Sequence, residues 1–331
     1  MLTRRQFLRS AVGGAALLAV GGVSGCSSSN SNQVIIYSCC EGERNEALMT
    51  AMNKNLPDID VRLKYVSTGN LAARLKVEGE SAECDIVLGV EGGYLMAAQD
   101  SLEPLSGHFN LSVFEDDLVI SDKIMPLTRE CGCFAYNTEV LAKCGIEPPT
   151  SLDDLLDERF RGTVCMPNPK ASSTGYNFYY SMVNLLGEDG ALDYFDKLAQ
   201  NVYQFTSSGS APASALTRGE AGVGLSLVFQ LVSEKNSGSP IELALFPEGA
   251  PWTMNGNAVV KGHGDKQAVW DVMEWLYTKG ILLDKELFVP DKVFKNQNTH
   301  VEGYPTNITY ANMTGLFDIE EKERLLEAWK Y

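Results

Sequence analysis

The sequence predicts an α/β protein built as two lobes, and three observations predict it. Short apolar runs alternate with helical patterns from residue 33 onward, the order that builds parallel sheet. A second series of this kind starts near Cys133-Phe134-Ala135-Tyr136-Asn137. The chain has 331 residues, more than one typical core holds.

Residues 1–26 read as an export signal. Arg4-Arg5 precedes Phe7-Leu8, a weakly apolar stretch runs from Ala11 to Val23, and Val23-Ser24-Gly25-Cys26 closes it. The apolar stretch is too short to span a bilayer, which takes about 20 residues. The paired arginines resemble a twin-arginine signal. Val-Ser-Gly-Cys resembles a bacterial lipoprotein box, which makes Cys26 the lipidated residue. Residues 27–32, Ser-Ser-Ser-Asn-Ser-Asn, form a polar, flexible tether. The expected location is therefore extracytoplasmic, lipid-anchored to the cell membrane.

A net charge of −16 argues against nucleic acid and anionic membrane surfaces as partners. Of eight cysteines, seven remain beside Cys26, an odd number that leaves at least one thiol unpaired in a monomer. There is no Cys-x-x-Cys pair and no Cys/His cluster at zinc spacing, so no metal and no cofactor is expected.

The elements follow in order. Gln33–Ser38 is an apolar strand, and Glu41–Asn55 a helix with Ala47, Leu48, Ala51 and Met52 on one face. Ile59, Val61, Leu63 and Tyr65 alternate as a strand. Ser67–Asn70 turns into a helix over 71–80, and Asp85–Gly89 is a third strand. In the second unit Pro149–Asp154 looks like a helix start. Strands are expected at 162–166, 202–206, 221–225, 241–246 and 257–260. Helices are expected at 176–186, 190–200, up to Arg218, at 265–278 and at 319–329.

Four loops share one chemistry. Ser38-Cys39-Cys40, Ser67-Thr68-Gly69, Ser172-Ser173-Thr174-Gly175 and Ser207-Ser208-Gly209-Ser210 each follow a strand and open a helix. A helix N-terminus presents unpaired N–H groups and about half a positive charge, and hydroxyls add donors there. That is an anion site; taken singly, each loop also fits ordinary Ser/Thr capping. Catalytic arrangements are poor: His108, His263 and His300 lie near no Ser or Cys in a recognisable pattern, and no nucleophile elbow or phosphate loop occurs. Cys39 or Cys40 at a helix start is a nucleophile without an evident base.

The chain resembles an extracytoplasmic solute-binding protein of ABC importers, of the ferric-ion-binding type. That branch is similar to binders of 2-aminoethylphosphonate, hexose phosphates and thiamine. The residues that carry the resemblance are Val34–Ser38, Leu71–Gly79, Cys84–Gly89, Tyr136-Asn137-Thr138, Pro167-Asn168-Pro169 with Ser172–Gly175, Arg218–Gly224 and Gly303-Tyr304-Pro305. It implies a two-lobe periplasmic-binding-protein-like clamshell of type II with hinge strands. Lobe one is expected at 33–128 and 247–280, lobe two at 129–246 and 281–331.

The resemblance also implies the function: a non-enzymatic, monomeric component that captures a small anionic or zwitterionic solute and delivers it to a membrane permease and its ATPase. The solute classes are a phosphonate, a phosphate ester or a thiamine-like molecule. The binding residues expected are Ser38, Glu41, Ser67, Thr68, Gly69, Glu91, Ser172, Ser173, Thr174, Gly175, Ser208, Gly209, Ser210, Trp252 and Asn255. Glu41 and Glu91 fall near iron-ligating positions of the family, or serve a ligand's ammonium. Trp252 would wall the ligand or stack on a ring, or belong to the core. A ferric-ion binder using a bound anion is the runner-up. It is weakened because Gly224–Gln230 lacks the paired tyrosines of the ferric type, and Tyr179-Tyr180 lies elsewhere. A secreted thiol enzyme is third.

Overall fold

The computed structural model describes residues 32–331. The export signal, Cys26 and the tether through Ser31 lie outside the described residues.

The first half runs β1 (Gln33–Ser38), α1 (Gly42–Asn55), β2 (Asp60–Tyr65), α2 (Thr68–Glu78), β3 (Ile86–Glu91) and α3 (Gly92–Ala97). After a stretch of short turns come β4 (Met125–Asn137), α4 (Thr138–Cys144), β5 (Val164–Pro167), α5 (Ser173–Leu198), β6 (Val202–Thr206) and α6 (Ala211–Thr217). Then follow β7 (Val223–Leu227), α7 (Val228–Asn236), β8 (Ile241–Ala244), β9 (Trp252–Val259), α8 (Gln267–Trp275), α9 (Ile281–Leu287) and α10 (Ile319–Ala328).

Among the described residues the nine strands form one mixed sheet, ordered β2-β1-β3-β9-β4-β7-β5-β6, with β8 also paired to β4. β1 pairs in parallel with β2 and β3, and β5 with β6 and β7. These parallel ends are joined through β4 and β9, an antiparallel pair running from Met125↔Asn257 to Cys131↔Trp252 with a register shift between Pro126 and Thr128. The 13-residue β4 continues past Cys131 to pair with β7 and β8. This is the expected α/β clamshell with crossing strands.

Two large apolar cores flank the crossing. One holds Ile36, Leu48, Met52, Ile86, Leu88, Met254, Val269 and Met273. The other is aromatic, with Phe134, Phe160, Tyr176, Phe178, Tyr179, Phe195 and Trp329. A smaller third group gathers Cys131, Cys133, Leu216, Leu231 and Tyr304. The expected partition at 280/281 runs through continuous packing. Ile281 and Val293 belong to the first core, and α9 bonds to Arg44 of α1.

Several local expectations differ from what forms. Pro149–Asp154 leads only into a short 3₁₀ turn, Asp153–Leu156. The helices expected at 176–186 and 190–200 do form, as the two halves of α5 on either side of Gly187, whose φ of 75° breaks the run. The strand expected at 257–260 starts earlier, at Trp252, as β9.

Candidate functional site

In parallel sheet, ligands sit off the carboxyl ends of the strands. Here the loops after β1, β2, β5 and β6 converge on one cleft of about 530 Å³, closed by β9 and α10. Glu41, Ser67, Thr68, Gly69, Glu91, Ser172, Ser173, Thr174, Ser208, Gly209, Ser210 and Asn255 all line it.

The helices that open there are not closed by their own side chains. Glu41 before α1, Ser67 before α2, Ser172 before α5 and Ser210 before α6 make no capping hydrogen bond. Away from this row of loops, Asn137 caps α4 and Asp318 caps α10. First-turn N–H groups of three long helices and one short one are thus left for whatever enters the cleft. Gly209 makes the convergence possible: a Cβ there would lie 2.3 Å from Thr174 Oγ1 and 3.1 Å from Thr174 Cβ.

Three expected residues do not line the cleft. Ser38 is fully buried; its hydroxyl donates to Asn45 Oδ1 (2.6 Å) and accepts from Cys40 N–H (3.1 Å), bracing the turn beneath the site. Gly175 follows Thr174 in the first turn of α5 and faces away from the cleft lining, where a Cβ would stand 2.4 Å from the Pro167 carbonyl oxygen. Trp252 is on the opposite face of β9 from Thr253 and Asn255, because strand side chains alternate. Its indole donates to Ala311 O (3.1 Å), and the Arg129 guanidinium lies 4.2 Å from the ring centroid. Tyr179 is in the aromatic core and fully buried, and Tyr180 donates to Thr314 O.

The charged lining was only half anticipated. Beside Glu41, Glu91 and Glu130 stand Arg44, Lys170 and Lys322, so the cleft is balanced in a chain of net charge −16. Arg44 is buried beneath it. It donates to both oxygens of Asp284 (2.8 and 3.0 Å), to Glu130 Oε1 (2.5 Å) and to Glu41 Oε2 (3.2 Å). Lys285 binds Asp284 (2.9 Å) and donates to Thr128 (2.6 Å). Burial works against the Asp284 charge, yet the Arg44 and Lys285 cations hold its carboxyl below the usual range. Burial pushes the Glu130 carboxyl up, against the pull of Arg44.

Glu91 is already engaged. Its carboxylate accepts from Gly93 N–H (3.0 Å) and Thr253 Oγ1 (3.3 Å), and pairs with Lys322 Nζ (3.4 Å). Lys322, Tyr94, Tyr176, Glu130 and Arg44 were not legible as site residues, since a charged helix face and aromatic positions read as surface and core. One signal existed for Arg44, three residues after Glu41 on the same helix face. The thiols beside the site are quiet: burial pushes Cys39 up to about 11 and Cys40 up to about 12, so both are protonated at neutral pH.

Residues 90–288 match the bacterial extracellular solute-binding protein family. The chain belongs to that family. Among curated relatives, an uncharacterised protein of Haemophilus influenzae is 35% identical over 147 residues, 44% of this chain and 42% of that protein. The thiamine-binding periplasmic protein of Salmonella typhimurium is 28% identical over 186 residues, 54% of this chain and 55% of that one. This family member thus spans about half the length of the curated relatives it matches. Among solved structures, the periplasmic binding protein AfuA from Actinobacillus pleuropneumoniae, with fructose-6-phosphate bound, has a TM-score of 0.74. It is 22% identical and covers 90% of this chain and 97% of that one. The likeness is one of fold.

Proposed function

We propose that this solute-binding protein captures a small anionic or zwitterionic solute and hands it to the membrane permease and ATPase of an ABC importer. The observation that carries the reading is the set of uncapped helix N-termini of α1, α2, α5 and α6 around one cleft. An anion accepts from N–H groups at Ser67–Gly69, Ser173–Thr174 and Ser208–Ser210, with the hydroxyls, that of Ser172 included, as further donors. A cationic end, where the solute has one, meets Glu41. The two lobes close about β4 and β9, and binding energy stabilises the closed state. The relatives' thiamine and fructose-6-phosphate support the solute class, a phosphonate, phosphate ester or thiamine-like molecule. We read the chain as a non-enzymatic monomer, exported by its twin-arginine-like signal and anchored through a lipid on Cys26.

A thermal-shift panel tests the binding. Phosphate, aminoethylphosphonate, sugar phosphates, thiamine and Fe(III) citrate are each offered to the protein. A solute at 1,000 times its dissociation constant adds about 4 kcal/mol of stability. The Ser173→Ala/Thr174→Ala double variant is expected to bind the successful anion more weakly, and unchanged affinity removes the anion loop. If Fe(III) alone shifts the melt and brings a visible charge-transfer band, the ferric reading replaces this one. The anchor has its own check: Cys26→Ala is expected to leave the membrane fraction, and continued membrane association would refute lipidation there.

A further inference from the structure

Lys322 lies on α10, a helix whose other charged residues face solvent, yet it is only 5% exposed. Its ammonium projects into the cleft. There it pairs with Glu91 Oε2 (3.4 Å) and stands over two ring faces, 4.3 Å from the centroid of Tyr94 and 4.7 Å from that of Tyr176. A carboxylate below and aromatic faces beside it are what hold an organic ammonium in a binding site. The chain fills this box with its own side chain.

Two polar groups next to the box have no protein partner. The Tyr176 hydroxyl is buried and unpaired, on a residue only 1% exposed. Asn255 Oδ1 is buried and unpaired too, and Asn255 is the register partner of Glu91 across β3 and β9. Both residues line the cleft. A buried donor or acceptor left unpaired carries its desolvation cost uncompensated, so a solute that satisfies both gains by entering.

We propose that Lys322 is a built-in cation that occupies the ammonium site at the Glu91 end of the cleft, so that the solute meets this end with an uncharged hydroxyl. The proposal rests on the solute-binding reading above and deepens it. A second ammonium here would face Lys322 with Glu91 already paired, which a desolvated site penalises. A hydroxyl accepts from the Tyr176 O–H and donates to Asn255 Oδ1. The solute class is therefore a hydroxylated phosphate or phosphonate, with its anion on the Ser/Thr loops, in preference to aminoalkyl phosphonates.

A matched pair of probes tests this: 2-hydroxyethylphosphonate and 2-aminoethylphosphonate, which differ only in the group offered to this end, with methylammonium as a third probe. Calorimetry on the wild-type protein is expected to favour the hydroxyl probe by about tenfold or more and to detect no methylammonium. In Lys322→Ala the preference is expected to reverse, and methylammonium is expected to bind. Lys322→Met, which keeps the apolar stem and its packing, is expected to lose the hydroxyl preference as well. Adding Glu91→Gln to Lys322→Ala is expected to abolish the methylammonium response. A wild-type preference for the amine overturns the proposal. So does an unchanged preference in both Lys322 variants, each shown folded by a cooperative melt. If wild type binds neither phosphonate, the anion reading of the cleft fails; methylammonium binding to Lys322→Ala in that protein still supports the cation site, and its absence removes that too.

Discussion

At the scale of single residues, backbone approach sets the anion side of the cleft and strand alternation sets the opposite wall. Gly209 is the tightest point. Any Cβ there meets Thr174 at both Oγ1 and Cβ, so the 207–210 loop has to withdraw from the start of α5. Gly209→Ala is expected to lower stability by about 1–3 kcal/mol and to weaken anion binding at the same time. Denaturant melts and calorimetry on the same variant check the pair of effects. Serine- and glycine-rich loops after strands were visible in the sequence because their composition is distinctive. Trp252 and Asn255, three residues apart, could not be assigned to faces until β9 was known to be a strand there. Lys322 was invisible for another reason. Its neighbours in the chain are ordinary surface charges, and only tertiary packing drives this one lysine between two tyrosines.

At the scale of elements, ion pairs pin helices to the sheet. Asp85, just before β3, is buried and accepts from the Ile35 backbone N–H (2.8 Å) and from Lys266 (2.6 Å). His263 Nδ1 lies 2.8 Å from the same carboxylate. Burial opposes its charge, but His263, Lys266 and the Ile35 N–H together hold its pKa below the ordinary carboxylate value. A depressed carboxylate contributes stability that is complete above the unfolded pKa, about 4, and is lost as pH falls through the folded value. Asp85→Asn is therefore expected to be less stable than wild type at pH 7, with the gap narrowing as pH falls below about 4. Melts of both proteins across the acid range check the direction. A widening gap at low pH would contradict it. Strong periodicity made α1, β2 and β6 legible. α7 and the long β4 were not, since a run such as Val228–Val232 satisfies helix and strand templates alike.

At the scale of the molecule, one sheet carries both halves, so the cleft walls are connected by hydrogen-bonded strands and not by loose linkers. The α/β class was inferable from the order of elements, the crossing only from the family resemblance. The exact division of the chain was not. The return of α9 to pack against α1 depends on Arg44, Asp284 and Lys285 meeting in the interior, and sequence separation hides such a meeting. These buried charges are mutually paired. Asp284→Ala strands Arg44 and Lys285 without their shared partner and is expected to cost about 3–5 kcal/mol, read by denaturant unfolding.

The thiols sort themselves by access to reagents. Among the described residues Cys144 is exposed, Cys39 is half-buried on the cleft wall, and Cys40, Cys84, Cys131, Cys133 and Cys165 are buried. A neutral maleimide therefore marks Cys144 first, far from any role in binding, and Cys39 second and slowly, since its thiol is protonated. A dye on Cys144 supplies a reporter without engineering. Alkylation of Cys39 supplies a clock for the cleft: a seated solute is expected to slow it while leaving Cys144 labelling unchanged, by mass spectrometry of the two peptides. Equal slowing at both positions would mean that the solute acts on the whole chain and not on the cleft.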